Sequence, residues 1–320
     1  MLDGGSMYYP YFRGKQFELI TIKENANLIE KSNFVPIIEP VKESISGLHR
    51  TTDALINANA RFILIVNPVN GDWVDDHDNL FDKVFNKKLT EYKNYMLGFL
   101  LTENTSMTDI ATFCNNKKID ISFIHYGFNH GKELATQLNS LSQVKENIFI
   151  EDVCQKLYRK NFESQKHNIL IRDGFKKRTN REHPSIEHFS DLHVTYKDEQ
   201  MSGFGDFLIV GDDFSETGGP AYAVAIHLTY IDKEKDNDMY ISHYVSNRTD
   251  TPTDPAGKFA EALKKLVDDV NKENSPILKT NAVNEYLDLH KRNHFPGLGY
   301  IKKLSMQHHL ELMSDFFKSR

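Results

Sequence analysis

Eight short, apolar, β-prone runs punctuate residues 7–213, and amphipathic stretches separate them. The runs are Met7 to Arg13 (MYYPYFR), Phe34 to Pro40 (FVPIIEP), Arg61 to Pro68 (RFILIVNP), Tyr95 to Glu103 (YMLGFLLTE), Asp120 to Gly127 (DISFIHYG), Asn147 to Asp152 (NIFIED), Asn168 to Gly174 (NILIRDG) and Asp206 to Asp213 (DFLIVGDD). Between them, Lys15 to Lys31, Ser44 to Ala60, Leu80 to Tyr92, Ser106 to Asn116, Lys132 to Leu141, Val153 to Phe162 and Ser185 to Tyr196 read as helical segments. Strand alternating with helix predicts βα units and a parallel sheet. Runs that are apolar almost throughout suit strands covered on both faces. Eight units are the number that closes an α/β (β/α)8 TIM-like barrel; a doubly wound open sheet is the alternative.

After Asp213 the rhythm changes. Tyr222 to Tyr230 and Met239 to Ser246 flank a charged turn and read as a β-hairpin inserted after strand eight (222–246). A helix from Asp254-Pro255 to about Asn271 follows, and helices near Asn281 to Lys291 and Leu304 to Lys318 fill the C-terminal segment 281–320. The expectation is one barrel domain over residues 7–320. MLDGGS reads as a cloning remnant before a native start at Met7.

Lys plus Arg number 39 and Asp plus Glu 45, a formal net charge of -6. That opposes whole-protein attraction to nucleic acid and leaves only a local basic groove open to it. No apolar run approaches the roughly 20 residues of a membrane span, and the start lacks a secretory layout. Cys114 and Cys154 are too few for a disulfide framework and fit a reducing, cytoplasmic compartment.

The ends of the runs carry the chemistry. They finish in Glu39, Asn67, Glu103, His125, Glu151-Asp152, Arg172-Asp173 and Asp212-Asp213, and Lys15 and Glu18 follow the first run. In a parallel barrel these ends share the rim where barrel enzymes place their active sites. Single polar residues there also serve as caps and turns; the succession is what suggests a site. Glu39, between Ile38 and Pro40, is a general acid/base candidate, as are His125 and Asp173. Lys15, Asn67, Glu103 and Arg172 are expected to bind substrate. Lys176 and Arg178 join them from the basic loop Lys176 to Arg181, since phosphate commonly binds after strands seven and eight.

Glu103 and Asp152, with Glu39 and Asp173, form a carboxylate set suited to Mg2+ or Mn2+. Histidine patterns are weak: His308-His309 are adjacent, His183, His188 and His193 lie five apart, and neither H-E-x-x-H nor CxxC occurs. His227 and Thr229 alternate with apolar neighbours and share one face of the hairpin. Glycines around the eighth run match no nucleotide-binding pattern but could admit backbone to a ligand.

The stretches YYPYFRGKQFELITIKE, VPIIEP, ILIRDGF, GFGDFLIVGD, GGPAYAVAIHLTY, DTPTDPAGKFAEAL and HFPGLGYIKKLSMQHHLELM resemble an uncharacterised bacterial family over nearly the whole chain. More distantly the chain is similar to the beta family proteins. They share an aromatic first strand, a helix start like Lys15-Gln16 and a Gly-Asp strand near Asp206 to Asp212. The resemblance implies a bacterial cytoplasmic protein in a phage-defence and mobile-element setting, and it supplies no catalytic residue. Together these features suggest a barrel-mouth hydrolase acting on a phosphoester or other anionic small molecule, including a nucleotide. The alternative is a non-catalytic scaffold whose hairpin and C-terminal helices dock a protein partner encoded nearby.

Overall fold

The computed structural model describes residues 7–85, 87–115, 118–216 and 218–319; MLDGGS lies outside them. The strands among these residues are β1 (Tyr11–Arg13), β2 (Ile37–Glu39), β3 (Phe62–Ile65), β4 (Tyr95–Thr102), β5 (Ile121–Tyr126), β6 (Val144–Ile150), β7 (Asn168–Ile171), β8 (Ile186–Ser190), β9 (Gly203–Gly205), β10 (Ala225–Asp232) and β11 (Asp238–Val245). The chain divides into two compact units. One is Met1–Asp173 with Thr195–Phe207, and the other is Gly174–Val194 with Leu208–Arg320. The hairpin, expected as an insertion in a single barrel domain, belongs to the second unit.

The first unit is a nearly closed eight-stranded parallel barrel flanked by helices, a TIM-like fold. Its order is β1-β2-β3-β4-β5-β6-β7-β9. At the seam, Tyr8 bridges Phe204 in parallel, the Tyr9 N–H donates to the Phe204 carbonyl at 2.8 Å, and the Phe204 N–H donates to the Met7 carbonyl at 2.8 Å. Gly205 permits this approach, because a Cβ there would overlap the Tyr9 carbonyl oxygen. Alternation sends Tyr11, Ile37, Ile63, Leu100, Ile124 and Ile169 into the barrel core. No helix among the described residues is long and apolar enough to cross a membrane.

Two expectations about elements fail locally. The eighth barrel strand is Gly203–Gly205, not Asp206 to Asp213. Phe207 still joins the barrel core, but Leu208 takes φ 50° and the chain turns away, so FLIV is apolar without being a strand. Ser185 to Tyr196 is not one helix: Ile186–Ser190 is a strand and only Leu192–Thr195 is helical. IEHFS pairs with β11, with Glu187 opposite Ile241 and Ile186 opposite Ser242, and that pairing holds it extended.

The second unit holds the antiparallel sheet β10-β11-β8 and the helices Pro255–Val270, Asn281–Lys291 and Leu298–Lys318. Asp254 caps the first helix through the Gly257 N–H at 3.0 Å, and Thr280 caps the second through the Val283 N–H at 3.2 Å. Ile226, Leu228, Tyr230 and Tyr244 pack with Phe259, Leu263 and Leu266 in one apolar cluster. The other sheet face therefore carries the odd-numbered residues, including His227, Thr229, His243 and Glu187.

Candidate functional site

The residues singled out from sequence separate into three groups. Glu39 stands at the end of β2, fully buried. It accepts from the Tyr11 hydroxyl at 2.9 Å, the Val69 N–H at 3.1 Å and the Asn70 amide at 3.2 Å, and Arg13 Nε lies 3.5 Å away. Burial raises its pKa, while Arg13 and these donors oppose the rise. Asp173 lies two residues beyond the end of β7, half-buried. Lys15 occupies the position before the helix Gln16–Glu24. Asn67 is clamped to one residue: its amide donates to the Leu100 carbonyl at 2.9 Å and its oxygen accepts the Leu100 N–H at 2.8 Å. Arg172 forms a fork with Glu151 at 2.5 and 3.0 Å.

His125 does not join them. It neighbours the inward Ile124, so alternation turns it outward, against Phe149 and Phe162. Its Nε2 pairs with Asn147 Oδ1 at 3.1 Å and its Nδ1 with the Tyr158 hydroxyl at 2.6 Å. Burial lowers its pKa to about 3. The neutral ring gives its one N–H to Asn147 Oδ1 and accepts the Tyr158 hydroxyl at Nδ1, so both nitrogens are committed within the packing. Glu103 and Asp152 are exposed turn residues. They make no metal cage with Glu39 and Asp173: among the described residues, the only converging group of histidine, cysteine or carboxylate donors is His183, Glu187 and His243.

That group lies in the second unit, together with Lys176 and Arg178. Arg178 holds Glu187 through a fork at 2.5 and 2.9 Å, and Lys176 approaches the same carboxylate at 3.7 Å. His227 and His243 face each other across β10 and β11, with their Nδ1 atoms 2.7 Å apart. His243 Nε2 is 3.1 Å from Glu187 Oε1, and His183 stacks on His243 with ring centroids 4.4 Å apart. Burial lowers the pKa of His243 to about 4, helped by His183. His227 is also lowered, by burial first and then by His243, His183 and Lys302. Burial would raise Glu187, but Arg178 and His243 outweigh it, so its pKa falls and it is ionised.

These states fix the protons. A carboxylate only accepts, so His243 carries its hydrogen on Nε2 and donates to Glu187. The neutral ring then accepts at Nδ1, so His227 donates from Nδ1 and keeps a lone pair on Nε2.

His227 also lines a cleft of about 670 Å³ within the second unit, a size suited to a small organic ligand. Lys177, Arg178, Arg181 and Lys302 line it, and among the described residues no carboxylate does. Lys177 is offset by Asp213 at 2.6 Å and Arg178 by Glu187. Neither Arg181 nor Lys302 is held in an ion pair with a described residue. Leu298, Ile301, Lys302 and Ser305 bring the first turns of the last helix to the wall, where its dipole favours an anion. Tyr222 and Leu298 add apolar surface at 43% and 44% exposure. The Asn180 amide ties the basic loop to the Ala223 carbonyl at 2.8 Å. Gly218 and Gly219 also line the cleft, but a Cβ on either would meet nothing within 4 Å, so close packing does not require glycine there.

Sequence reading reached Arg178 and His227, set His183 aside because its spacing to His188 and His193 fits no helix face, and did not single out Glu187 or His243. Treating 185–196 as a helix hid the alternation that puts Glu187 on the histidine face. The pairing of IHLT with ISHY was the available signal. No protein-family model and no curated protein matches the chain.

Proposed function

We propose that the second unit binds a phosphate-bearing small molecule, such as a nucleotide, in this cleft and hydrolyses its phosphoester. The observation that carries the reading is a cleft wall with four cationic side chains, two of them without a carboxylate partner among the described residues, beside a histidine pair oriented by Glu187. Arg181 and Lys302 are the groups to meet the phosphate oxygens, and the apolar rim with Tyr222 suits a base or other flat ring. His227 is placed to exchange a proton with the reacting group, through the nitrogen that His243 leaves open. Water loses a proton to His227 Nε2 as its oxygen bonds to phosphorus, the P–O ester bond breaks, and the departing alkoxide takes that proton back from His227.

The test is turnover of p-nitrophenyl phosphate, bis-p-nitrophenyl phosphate and nucleotide substrates by the full chain. His227→Ala should lower the rate by about 100-fold with an unchanged circular dichroism spectrum. Absence of turnover across the panel, or full activity in His227→Ala, would overturn the hydrolase reading.

A further inference from the structure

The second unit holds a donor set that a hydrolytic reading does not need. His183 is 9% exposed, and its Nδ1 is buried without a hydrogen-bond partner among the described residues. Buried imidazole nitrogens are rarely left so. The nitrogen lies 4.0 Å from Glu187 Oε1, His243 Nε2 is 3.1 Å from the same oxygen, and the three donor atoms all lie within 4.8 Å of one another. They come from different segments: His183 from the loop before β8, Glu187 from β8 and His243 from β11.

We infer that His183, Glu187 and His243 form a binding site for a divalent transition metal, with Zn2+ the best match. The chemistry of the donors selects the ion. Two imidazole nitrogens and one carboxylate oxygen suit a borderline cation with a fourth position open, whereas Mg2+ and Ca2+ favour oxygen cages. In a tetrahedral zinc site with bonds of about 2.0–2.2 Å, neighbouring donors stand about 3.3 Å apart. The trio therefore needs only a modest contraction.

The surroundings are those of a metal centre's outer layer. His243 Nδ1 is bonded to His227, and Arg178 braces Glu187 from the other side. The Phe175 ring lies 5.5 Å from that of His183 and 5.1 Å from that of His227. Such partners fix ring orientation and ligand basicity. Arg178 need not leave. The metal would take the lone pair of Glu187 Oε1 that now accepts the His243 hydrogen, so the oxygen keeps the same number of partners. His243 then bears its proton on Nδ1 and donates to His227, which takes up a proton on Nε2. Each ring stays neutral and exchanges one tautomer for the other.

The inference does not depend on what the cleft binds. Full-length protein stripped with a chelator is titrated calorimetrically with ZnCl2, and with CoCl2 by visible absorption. One equivalent is expected, with a tetrahedral cobalt spectrum. His183→Ala should weaken zinc binding by at least about 100-fold and His227→Ala by about 10- to 100-fold. Circular dichroism checks that the variants fold. X-ray absorption at the zinc edge of the wild-type complex, which needs no variant, should show two imidazoles and oxygen. No stoichiometric binding, undiminished affinity in folded His183→Ala, or a zinc shell without imidazole would each overturn the assignment.

Discussion

His125 offers a stability test with its optical probe in the same unit. The ring is fully buried, and burial lowers its pKa from 6.5 to about 3. In the unfolded chain the imidazole titrates near 6.5. Between those two values the unfolded state takes up a proton that the folded state refuses. The stabilising contribution is therefore complete above about pH 6.5 and is lost as the pH falls towards 3. Each pH unit in that window costs about 1.4 kcal/mol, so going from pH 7 to pH 5 removes roughly 2 kcal/mol through this one ring. His125→Gln removes the titration. The single tryptophan, Trp73, lies in the same unit, 2% exposed, and donates to the Lys42 carbonyl at 2.8 Å, so its fluorescence follows barrel unfolding. Urea unfolding at pH 7, 6 and 5 should show the wild type losing about 2 kcal/mol more than His125→Gln between the extremes. Equal losses would refute the reasoning and return His125 to the list of rings able to accept a proton in the folded protein.

Other outcomes follow from packing. Gly205→Ala sets a methyl group against the Tyr9 carbonyl oxygen at the barrel seam and should destabilise the barrel by about 3 kcal/mol, read as a lower urea midpoint in Trp73 fluorescence; an unchanged midpoint would contradict the closure described. Burial pushes the thiols of Cys114 and Cys154 up to about 11, and the thiolate is the reactive form. Both should stay silent to a thiol-exchange reagent in native protein at pH 8 and react promptly in urea. Fast labelling of native protein would show that one of them is reachable.

The barrel was legible because its determinants are local: apolar runs of strand length, repeated eight times, leave few other arrangements. Its eighth strand was misplaced because hydropathy marks burial, not backbone direction, and Phe207 to Val210 are apolar on both sides of the turn at Leu208. The site was less legible for a related reason. Glu39 lies where a strand end should put it. Its commitments to Tyr11, Val69, Asn70 and Arg13 depend on neighbours up to 31 residues away. His125 was assigned to the mouth by position along the strand, when its parity pointed outward. The histidine cluster required knowing that β8 and β10 both pair with β11, and no spacing rule within one segment contains that fact.

The central claim concerns the cationic cleft, and direct binding tests it most simply. Calorimetric titration of the full chain with pyrophosphate and with a nucleoside triphosphate should show saturable binding that weakens with added salt. Arg181→Ala and Lys302→Ala should each reduce affinity by about 10-fold, and the unphosphorylated nucleoside should not compete. Equal binding by wild type and both variants, or no binding of any phosphate compound, would contradict the account.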